Sequence, residues 1–330
     1  MPTRTGRKGA FRYRDARGRV IRDEATLDRI EALVIPPAWK DVWISPRPNA
    51  KLQATGYDFA GRKQYLYHPA FRAAQEQEKY DSLVRFGERL PGLRAAMAEH
   101  LDRDELDRER VSAVALRLIS LGWFRVGSER YARDGTYGVT TLLRRHVRVR
   151  GSRIQLAFRA KAGTQVRSEL VDEELAAAIR GLLAVRPGAR VFKYCWEGDL
   201  YNLTSQRLND YVKLYLGEEF SAKDFRTWGG TLLAAIQFAE RDGADADQKR
   251  VVTAVMRQVA RQLGNTPAVC RASYVAPAVV EQYLEGRTID DFRPRHLRVV
   301  GARDLGLSPE EAATLSLLRS WRIRQSRKAR

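Results

Sequence analysis

The periodicity of the sequence changes near residues 70–80, and this change limits the folds that the chain can adopt. Residues 1–75 contain short aromatic and β-branched runs that are cut by proline and glycine, a composition typical of strands. Within them, residues 56–61 have the composition of a hairpin connection. Beyond residue 75, apolar residues recur mainly at helical spacing. We therefore predict an α+β fold, with a small β-rich N-terminal domain over residues 1–75 and a larger, mainly helical domain over residues 76–330.

The helical domain is expected to contain one small sheet. Residues 145–171 alternate between apolar and polar types, and the alternation is interrupted at Gly151 and at residues 161–163. This pattern predicts a three-stranded antiparallel sheet with tight turns. Gly264 is expected to terminate a helix, and residues 321–330 predict a solvated basic tail. Helical spacing predicts helices over residues 70–90, 106–124, 172–184, 204–217, 222–240 and 247–263.

The charge of the chain indicates a polyanionic partner. The sequence has 59 Lys and Arg residues against 40 Asp and Glu residues, a net charge of +19, and 44% of its residues are hydrophobic and can support a core. Nucleic acid fits this surplus better than a membrane surface does. The sequence shows no lipidation signal, no apolar run of spanning length and no basic amphipathic helix carrying Trp and Phe. We therefore expect no membrane contact.

The sequence lacks the common patterns for bound metals and nucleotides. Cys195 and Cys270 are far apart and form no C-x-x-C pair, which fits a reducing cytoplasm. The four histidines show neither H-x-H nor H-E-x-x-H spacing, and no G-x-x-x-x-G-K-[ST] loop is present. We expect a cytoplasmic protein, associated with the nucleoid if it is bacterial, that uses no metal or other cofactor.

Residues 61–68, GRKQYLYH, combine basic and aromatic side chains on one predicted strand. A lysine in line with two tyrosines favours an exposed face that contacts DNA, where Lys meets phosphate, Tyr packs on sugar or base and Gln pairs with a base edge. A half-buried edge strand is the alternative interpretation. Alternation along a strand gives two faces, with Lys63, Tyr65 and Tyr67 on one and Arg62, Gln64 and Leu66 on the other.

Residues 264–277, GNTPAVCRASYVAP, place a tyrosine near the end of a short predicted helix. Thr266 and Pro267 are the residue types preferred at the N-cap and at the first helical position. At about 100° per residue, Tyr274 lies beside Arg271 and almost opposite the apolar face. The pattern therefore predicts a tyrosine that is presented outward next to a cation. The apolar face is formed by Val269, Ala272 and Ala276.

Four basic residues elsewhere in the helical domain are candidates to act with this tyrosine. Arg125 follows an apolar stretch at the end of a predicted helix, and Lys161 lies at the tip of a predicted β-hairpin. Lys223 and Arg226 are one helical turn apart, so both can project from one face. Taken singly, each is more often a solvated charge than a functional group.

Five motifs, taken together and in order, make the chain resemble a known family. It resembles the type IB DNA topoisomerases of the compact poxvirus-like and bacterial kind, and the resemblance covers nearly the whole chain. The matching motifs are Y-x-x-x-G-R-K-Q-Y-x-Y-H at 57–68, R-V-G-S-E-R-Y at 125–131, the hairpin Lys161, K-D-F-R-T-W-G at 223–229 and G-N-T-P-A-V-x-R-x-S-Y at 264–274.

The resemblance implies an activity and a role for each motif residue. The family relaxes supercoiled duplex DNA without ATP or metal, through a 3′-phosphotyrosyl bond, rotation of the cut strand and religation. Tyr274 is then the nucleophile, Arg125 and Arg226 stabilise the phosphate, Lys161 is the general acid, and Lys223 assists proton transfer or holds a phosphate. A monomer is expected, in which the two domains close around duplex DNA as the partner. The expected DNA contacts are Arg62, Lys63, Gln64, Tyr65, Tyr67 and Arg271.

Position 265 departs from the poxvirus pattern, which has histidine there. Asn265 can donate a hydrogen bond to a phosphate oxygen, but an amide carries no charge and does not titrate. The implied role is hydrogen-bond stabilisation, and a histidine general base at this position is excluded.

Two alternatives to a topoisomerase follow from the same residues. A tyrosine recombinase or integrase shares the Arg-Lys-Arg-Tyr set, but typically has H-x-x-R where this chain has Lys223-Asp-Phe-Arg226, and its N-terminal domain is helical. A non-catalytic DNA-binding protein would carry the same charge with no need for Tyr274. The β-rich first domain favours the topoisomerase over the recombinase.

Overall fold

The computed structural model describes residues 3–6, 10–241, 247–292 and 306–328. The chain divides into two units, Met1–Tyr80 and Asp81–Arg330, and the division falls within the helix α2 (Pro69–Leu101). The first unit is β-rich and the second is mainly helical with a small three-stranded sheet. The predicted α+β class is therefore confirmed.

The first unit combines an antiparallel sheet with a short helix and the N-terminal part of α2. Its strands lie in the order β2-β1-β3-β4-β5. The elements are β1 (Thr3–Thr5), β2 (Arg12–Arg14), α1 (Glu24–Ala32), β3 (Lys40–Ile44), β4 (Leu52–Tyr57) and β5 (Lys63–Tyr67). Apolar residues from the helix and the central strands form the core, namely Ile30, Val42, Ile44 and Ala54.

The β4–β5 connection is organised by the carboxylate of Asp58, and the predicted hairpin is confirmed. This carboxylate accepts hydrogen bonds from the backbone N–H groups of Ala60 (3.0 Å) and Arg62 (2.9 Å). It also accepts from the side chains of Arg62 and Gln64, each at 2.8 Å. Because these bonds close the turn, they fix which face of β5 is turned outward.

The second unit contains most of the helices. Within the described ranges, no helix is both long and apolar enough to span a membrane. The predicted helices are present with ends that differ by a few residues, and α2 continues past Pro91. After α2 the elements are α3 (Arg108–Gly122), α4 (Glu129–Arg133), β6 (Val147–Arg150), β7 (Arg153–Arg159), β8 (Gln165–Val171), α5 (Glu173–Ala184), β9 (Lys193–Trp196), β10 (Asp199–Asn202), α6 (Ser205–Leu216), α7 (Asp224–Ala239), α8 (Gln248–Leu263), α9 (Pro267–Ser273), α10 (Pro277–Leu284) and α11 (Pro309–Lys328).

Helix α7 packs against α3, α8, α10 and α11, and two adjacent glycines allow its closest contacts. A Cβ atom on Gly229 would overlap the indole of Trp123. A Cβ atom on Gly230 would lie 2.7 Å from the carbonyl oxygen of Tyr274. Any larger residue at either position would therefore displace the segment that follows α3 or the segment that carries Tyr274.

The predicted three-stranded sheet is confirmed, with the strand order β6-β7-β8. Alternate residues of β7 are buried, with Ile154 at 0%, Leu156 at 2% and Phe158 at 5% exposed. This face is covered by α3 and α5. The sheet thus forms a fixed base for the β7–β8 turn, in which Lys161 lies.

A second β hairpin, β9–β10, shows that the expectation of a single β segment in this unit is wrong. The two strands are joined by Glu197 and Gly198, whose φ values are 51° and 86°. Positive φ at both central residues is the conformation of a tight hairpin turn. The sequence could have predicted this hairpin. The aromatic runs KYCW and DLYN are separated by Glu197 and Gly198, and two such runs joined by two turn-forming residues are typical of a hairpin.

Residues 321–328 continue helix α11, so the predicted basic tail is helical over these positions, and Arg322 and Arg327 are exposed as expected of a solvated end. Trp321 donates a hydrogen bond to Glu281 at 2.7 Å, and Arg324 donates to Gln282 at 2.6 Å and to Glu285 at 2.7 Å. Pairing with polar side chains of α10 and of Glu285, which follows it, holds this segment on the protein. Residues 329 and 330 lie outside the described part of the chain.

Glu311 joins α11 to α2 and α7 through a largely buried carboxylate. It accepts two hydrogen bonds from Arg94, at 2.7 and 2.8 Å, and one from the indole of Trp228 at 3.2 Å. Burial alone would raise the pKa of Glu311, but the hydrogen bonds and the charge of Arg94 outweigh burial and lower the pKa below its usual value. The ionised form is therefore stabilised by folding.

We expect Glu311→Gln to lower the free energy of unfolding by about 2 kcal/mol, because Arg94 and Trp228 lose a charged acceptor. Since the folded pKa of Glu311 is depressed, this contribution is present above the unfolded-state pKa and is lost as the pH falls through the folded pKa. Urea unfolding at neutral and acidic pH measures both effects. Glu310→Gln is the control, and an equal loss in the two variants would contradict the role of Glu311.

Candidate active site

The C-terminal end of α8 binds two arginines that come from other parts of the chain. Helix α8 ends at Leu263, and Gly264 adopts the left-handed conformation (φ 59°, ψ 52°) of a helix-terminating residue, as predicted. The carbonyl of Leu263 accepts a hydrogen bond from Arg226 at 2.8 Å, and that of Gly264 accepts one from Arg125 at 3.1 Å. The last carbonyls of a helix have no partner within it and carry the negative end of its dipole, so they suit cations.

Arg226 lies in the first turn of α7 and is only 4% exposed. Besides Leu263, its guanidinium donates to the backbone carbonyl of Trp123. Its Nε atom is buried and has no hydrogen-bond partner among the described residues. One donor of a buried cation is therefore left for an acceptor that the protein does not supply.

Arg125 is presented by a tightly held loop after α3. Trp123 ends that helix in the left-handed region (φ 50°), which turns the chain sharply before Arg125. The backbone carbonyl of Arg125 then accepts a hydrogen bond from the N–H of Val139 at 2.9 Å. Gly127 and Gly138 allow this approach, since a Cβ on Gly138 would lie 2.6 Å from the Arg125 carbonyl oxygen. The backbone of Arg125 is thus held in place, and this fixes the position from which its side chain extends.

Asn265 links Arg125 to the segment after α8. Its Oδ1 atom accepts a hydrogen bond from Arg125 at 2.6 Å, which orients the amide so that Nδ2 is turned away from the guanidinium. That Nδ2 atom is buried and has no partner within the described ranges. An unpaired buried donor costs about 1–3 kcal/mol, so its persistence beside a cation indicates a site for an anionic acceptor.

The guanidinium of Arg226 lies close enough to Arg125 to affect the pKa of Arg125. Burial lowers the pKa of Arg125 below its usual value, and the positive charge of Arg226 lowers it further. Arg125 still carries its charge near neutral pH because arginine titrates far above it. Like charges held together in a partly buried site attract an anion strongly, since an anion between them relieves the repulsion.

The helix that precedes Tyr274 differs from the predicted wheel. Thr266 caps α9 as predicted, accepting from the N–H of Val269 at 3.3 Å, but Cys270 is its buried residue, while Val269 and Ala272 are exposed. The helix ends at Ser273, and Tyr274 follows with φ −131°, so a uniform rotation per residue does not extend to it. The expectation that Tyr274 points outward opposite an apolar face is therefore wrong.

Tyr274 is half-buried and faces Arg226 rather than Arg271. The guanidinium carbon of Arg226 lies 5.0 Å from the centroid of the tyrosine ring, within the range of a cation–π contact. The hydroxyl makes no hydrogen bond with any residue that the structure describes. Its ring is thus held while its oxygen is left available.

A cavity of about 530 Å³ brings the candidate residues together. Its lining includes Arg125, Lys161, Asn265 and Tyr274, which come from three separate segments of the chain. Lys161 is exposed in the turn between β7 and β8, as predicted. A phenol hydroxyl, an ammonium and hydrogen-bond donors therefore border one space, which suits transfer at a phosphate ester.

Lys223 and Arg271 do not join this group. Lys223 immediately precedes α7 and is exposed, whereas Arg226 is buried, so the expectation that both project from one face is wrong. The reason is that Lys223 lies outside the helix, whereas the side chain of Arg226 turns inward to the carbonyls of Trp123 and Leu263. Arg271 is exposed in the last turn of α9 and is not among the residues that line the cavity.

Strand β5 in the first unit presents the predicted basic aromatic face. Tyr65 is 50% and Tyr67 is 40% exposed, and their rings stack at 6.3 Å between centroids. Lys63 lies over the Tyr65 ring at 5.8 Å. Gln64 instead donates to Asp58, and Arg62 pairs with the same carboxylate, so these two side chains have acceptors within the protein. The exposed row of Lys63, Tyr65 and Tyr67, rather than the opposite face of the strand, is therefore the surface open to a ligand.

Arg261 is a candidate that the sequence analysis did not identify. It lines both the 530 Å³ cavity and a neighbouring cavity of about 330 Å³ that also borders Arg125 and Arg226. Its side chain is exposed and makes no ion pair within the part of the chain that the structure describes. No sequence pattern marks it, because its importance comes from where the last turn of α8 lies.

Comparison with known proteins identifies the family. Residues 68–290 match the family described as "Eukaryotic DNA topoisomerase I, catalytic core", and residues 10–58 match "Bacterial DNA topoisomerase IB, N-terminal domain". The chain belongs to the type IB DNA topoisomerases. DNA is therefore the substrate of this topoisomerase, and all residues that line the 530 Å³ cavity lie inside the first matched range.

Viral topoisomerases are among the relatives. DNA topoisomerase 1B of Acanthamoeba polyphaga mimivirus is 32% identical over 291 residues, which are 85% of this chain and 86% of the viral protein. DNA topoisomerase 1B of vaccinia virus (strain Copenhagen) is 20% identical over 244 residues, 73% of this chain and 75% of that protein. DNA topoisomerase I of monkeypox virus gives the same values.

We expect Arg261→Gln to weaken DNA binding and to reduce the slope of log affinity against log salt by about one, because one phosphate contact is lost. Fluorescence anisotropy with a labelled duplex at several salt concentrations measures both, in a Tyr274→Phe background that removes the expected nucleophile. Arg257→Gln is the matched control, since Arg257 is exposed one turn earlier on α8 and does not line the cavity. Equal losses in the two variants would show that only overall charge matters.

Proposed function

We propose that this topoisomerase relaxes supercoiled duplex DNA by cutting one strand, allowing rotation and rejoining it, through a 3′-phosphotyrosyl bond on Tyr274. The observation that carries the proposal is the shared cavity, where the free hydroxyl of Tyr274 borders Arg125, Lys161 and Asn265. Two buried donors beside it, on Arg226 and Asn265, lack acceptors among the described residues. A phosphate oxygen is the acceptor that suits such donors best.

In the proposed cleavage step, the tyrosine oxygen forms a bond to the scissile phosphorus while the bond to the 5′ oxygen breaks. The tyrosine proton passes to water, and the 5′ oxygen leaves as a hydroxyl. Arg125 and Arg226 neutralise the charge on the non-bridging oxygens, and Asn265 adds a hydrogen bond from Nδ2. Because these donors are fixed before DNA binds, little reorganisation is needed in the transition state.

Lys161 is proposed to donate the proton that the 5′ oxygen takes up. An alkoxide is a poor leaving group, so an acid within reach of that oxygen accelerates the step. Support comes from its position in a turn at the end of a rigid sheet, on the border of the cavity that Tyr274 also lines. In religation the 5′ hydroxyl attacks the phosphotyrosine, Tyr274 leaves, and each proton returns by the reverse route.

The proposed cycle needs no ATP, because the phosphotyrosyl bond conserves the energy of the phosphodiester that was broken. The sequence correspondingly has no G-x-x-x-x-G-K-[ST] loop for a nucleotide. We propose that the enzyme acts as a monomer on duplex DNA, and that the exposed row of Lys63, Tyr65 and Tyr67 contributes DNA contacts. With a net charge of +19, binding should weaken steeply as salt rises.

We expect the wild-type protein to relax supercoiled plasmid in EDTA without ATP, and Tyr274→Phe to bind DNA but to relax none, because the attacking oxygen is absent. Agarose gels report relaxation, and denaturing gels report trapped covalent adducts. A wild-type protein that only retards DNA would contradict an enzyme, and one that joins two specific duplexes into recombinants would favour a tyrosine recombinase.

We expect Lys161→Ala to slow single-turnover cleavage by about 10²- to 10⁴-fold, the usual contribution of a general acid. A substrate with sulfur in place of the 5′ bridging oxygen should restore most of the rate, because a thiolate leaves without a proton. Arg125→Ala is the comparison, since its loss affects the non-bridging oxygens and sulfur should not restore it. Failure of sulfur to restore Lys161→Ala selectively would contradict the assigned role.

A further inference from the structure

The hydroxyl of Thr231 bridges the backbone on either side of Val275, directly after Tyr274. It lies 3.3 Å from the carbonyl oxygen of Tyr274, to which it donates, and it accepts from the N–H of Ala276 at 3.1 Å. Thr231 is 0% exposed. A hydroxyl donates one hydrogen, so donation to the carbonyl and acceptance from the N–H define its orientation.

The two hydrogen bonds of Thr231 contact the short connection between α9 and α10, which is neither helix nor strand. Tyr274 follows the last residue of α9, and α10 begins only at Pro277. The carbonyl of Tyr274 points at α7, where it would touch a Cβ atom on Gly230. The direction of the tyrosine side chain therefore depends on how this short connection is attached to α7.

Helix α7 holds Tyr274 by three contacts. Arg226 faces the ring at 5.0 Å, Gly230 allows the backbone to approach, and Thr231 binds that backbone. The same helix therefore carries a guanidinium proposed to bind the phosphate and the group that anchors the proposed nucleophile. A fixed distance between nucleophile and phosphate is what such an arrangement provides.

We infer that Thr231 is a positioning residue for catalysis, whose hydroxyl sets the direction from which Tyr274 approaches the scissile phosphate. The inference rests on the proposed function of Tyr274. Thr231 touches neither DNA nor the reacting atoms in this role. Its loss should therefore slow both cleavage and religation by a similar factor, since both pass through one transition state, and should leave DNA affinity unchanged.

A matched control lies one turn earlier on the same helix. Thr227 is 1% exposed, and its hydroxyl is buried without a partner among the described residues. Substitution of either threonine by valine keeps the shape and removes one buried hydroxyl. The two variants differ in whether that hydroxyl binds the Tyr274 connection.

The test compares Thr231→Val, Thr231→Ser and Thr227→Val in single-turnover cleavage and religation at saturating DNA. We expect Thr231→Val to slow both steps by about 10- to 100-fold, the usual effect of a displacement of about 1 Å at a reacting group. Thr231→Ser should recover most of the rate, and Thr227→Val should stay near wild type. Noncovalent DNA affinity and the shape of the pH–rate profile should not change in any variant.

Three outcomes would overturn the inference: wild-type cleavage by Thr231→Val, equal slowing by Thr227→Val, or slowing that follows lost DNA affinity. If Thr231→Val does not fold, Thr231→Ser and Thr231→Ala differ only by the hydroxyl, and equal rates in that pair would overturn it as well. Tyr274→Phe separates the two proposals. If that variant still forms a covalent adduct, the proposed function fails, whereas failure of the Thr231 series alone leaves Tyr274 as the nucleophile.

Discussion

The hydrogen bonds from Arg125 and Arg226 to the last carbonyls of α8 are the interaction on which the rest of the site depends. Burial lowers the pKa of Arg125, and the repulsion between its guanidinium and that of Arg226 lowers it further. The negative end of a helix offsets part of this repulsion, because its terminal carbonyls have no partners within the helix. Leu263 and Gly264 supply those carbonyls at 2.8 and 3.1 Å. The remaining positive potential is available to an anion.

Much of the second unit can be understood as the support for that arrangement. Gly229 allows α7 to contact Trp123, whose left-handed conformation turns the chain towards Arg125. Gly230 and Thr231 attach the Tyr274 segment to the same helix. A packed helix core thus sets the spacing between Tyr274, the proposed nucleophile, and the two guanidiniums, as a site on rigid elements requires. The proposed chemistry then needs only Lys161, which the β7–β8 turn brings to the cavity.

The elements with strong periodicity were predictable from sequence, and the inward or outward direction of single side chains was not. The alternation over residues 145–171 predicts three strands because one face is buried, and Gly264 predicts a helix end because its conformation favours glycine. A wheel cannot tell that Cys270 is buried in place of Val269, because neighbouring helices decide which side of a short helix is covered. Arg261 carries no local signal either. Motif resemblance identified Arg125 and Lys161, whereas contact between distant segments explains why they meet.

The central claim is that Tyr274 attacks DNA within the anion-binding cavity, and mapping the covalent adduct tests it most directly. The adduct would be trapped on a nicked duplex whose 5′ leaving strand diffuses away, digested with protease and sequenced by mass spectrometry, with either DNA end labelled. The expected product is the peptide containing residues 264–277, with Tyr274 joined to the 3′-phosphate end and a free 5′ hydroxyl on the released fragment of the cleaved strand. An adduct on another residue, or a tyrosine joined to a 5′ phosphate, would contradict it.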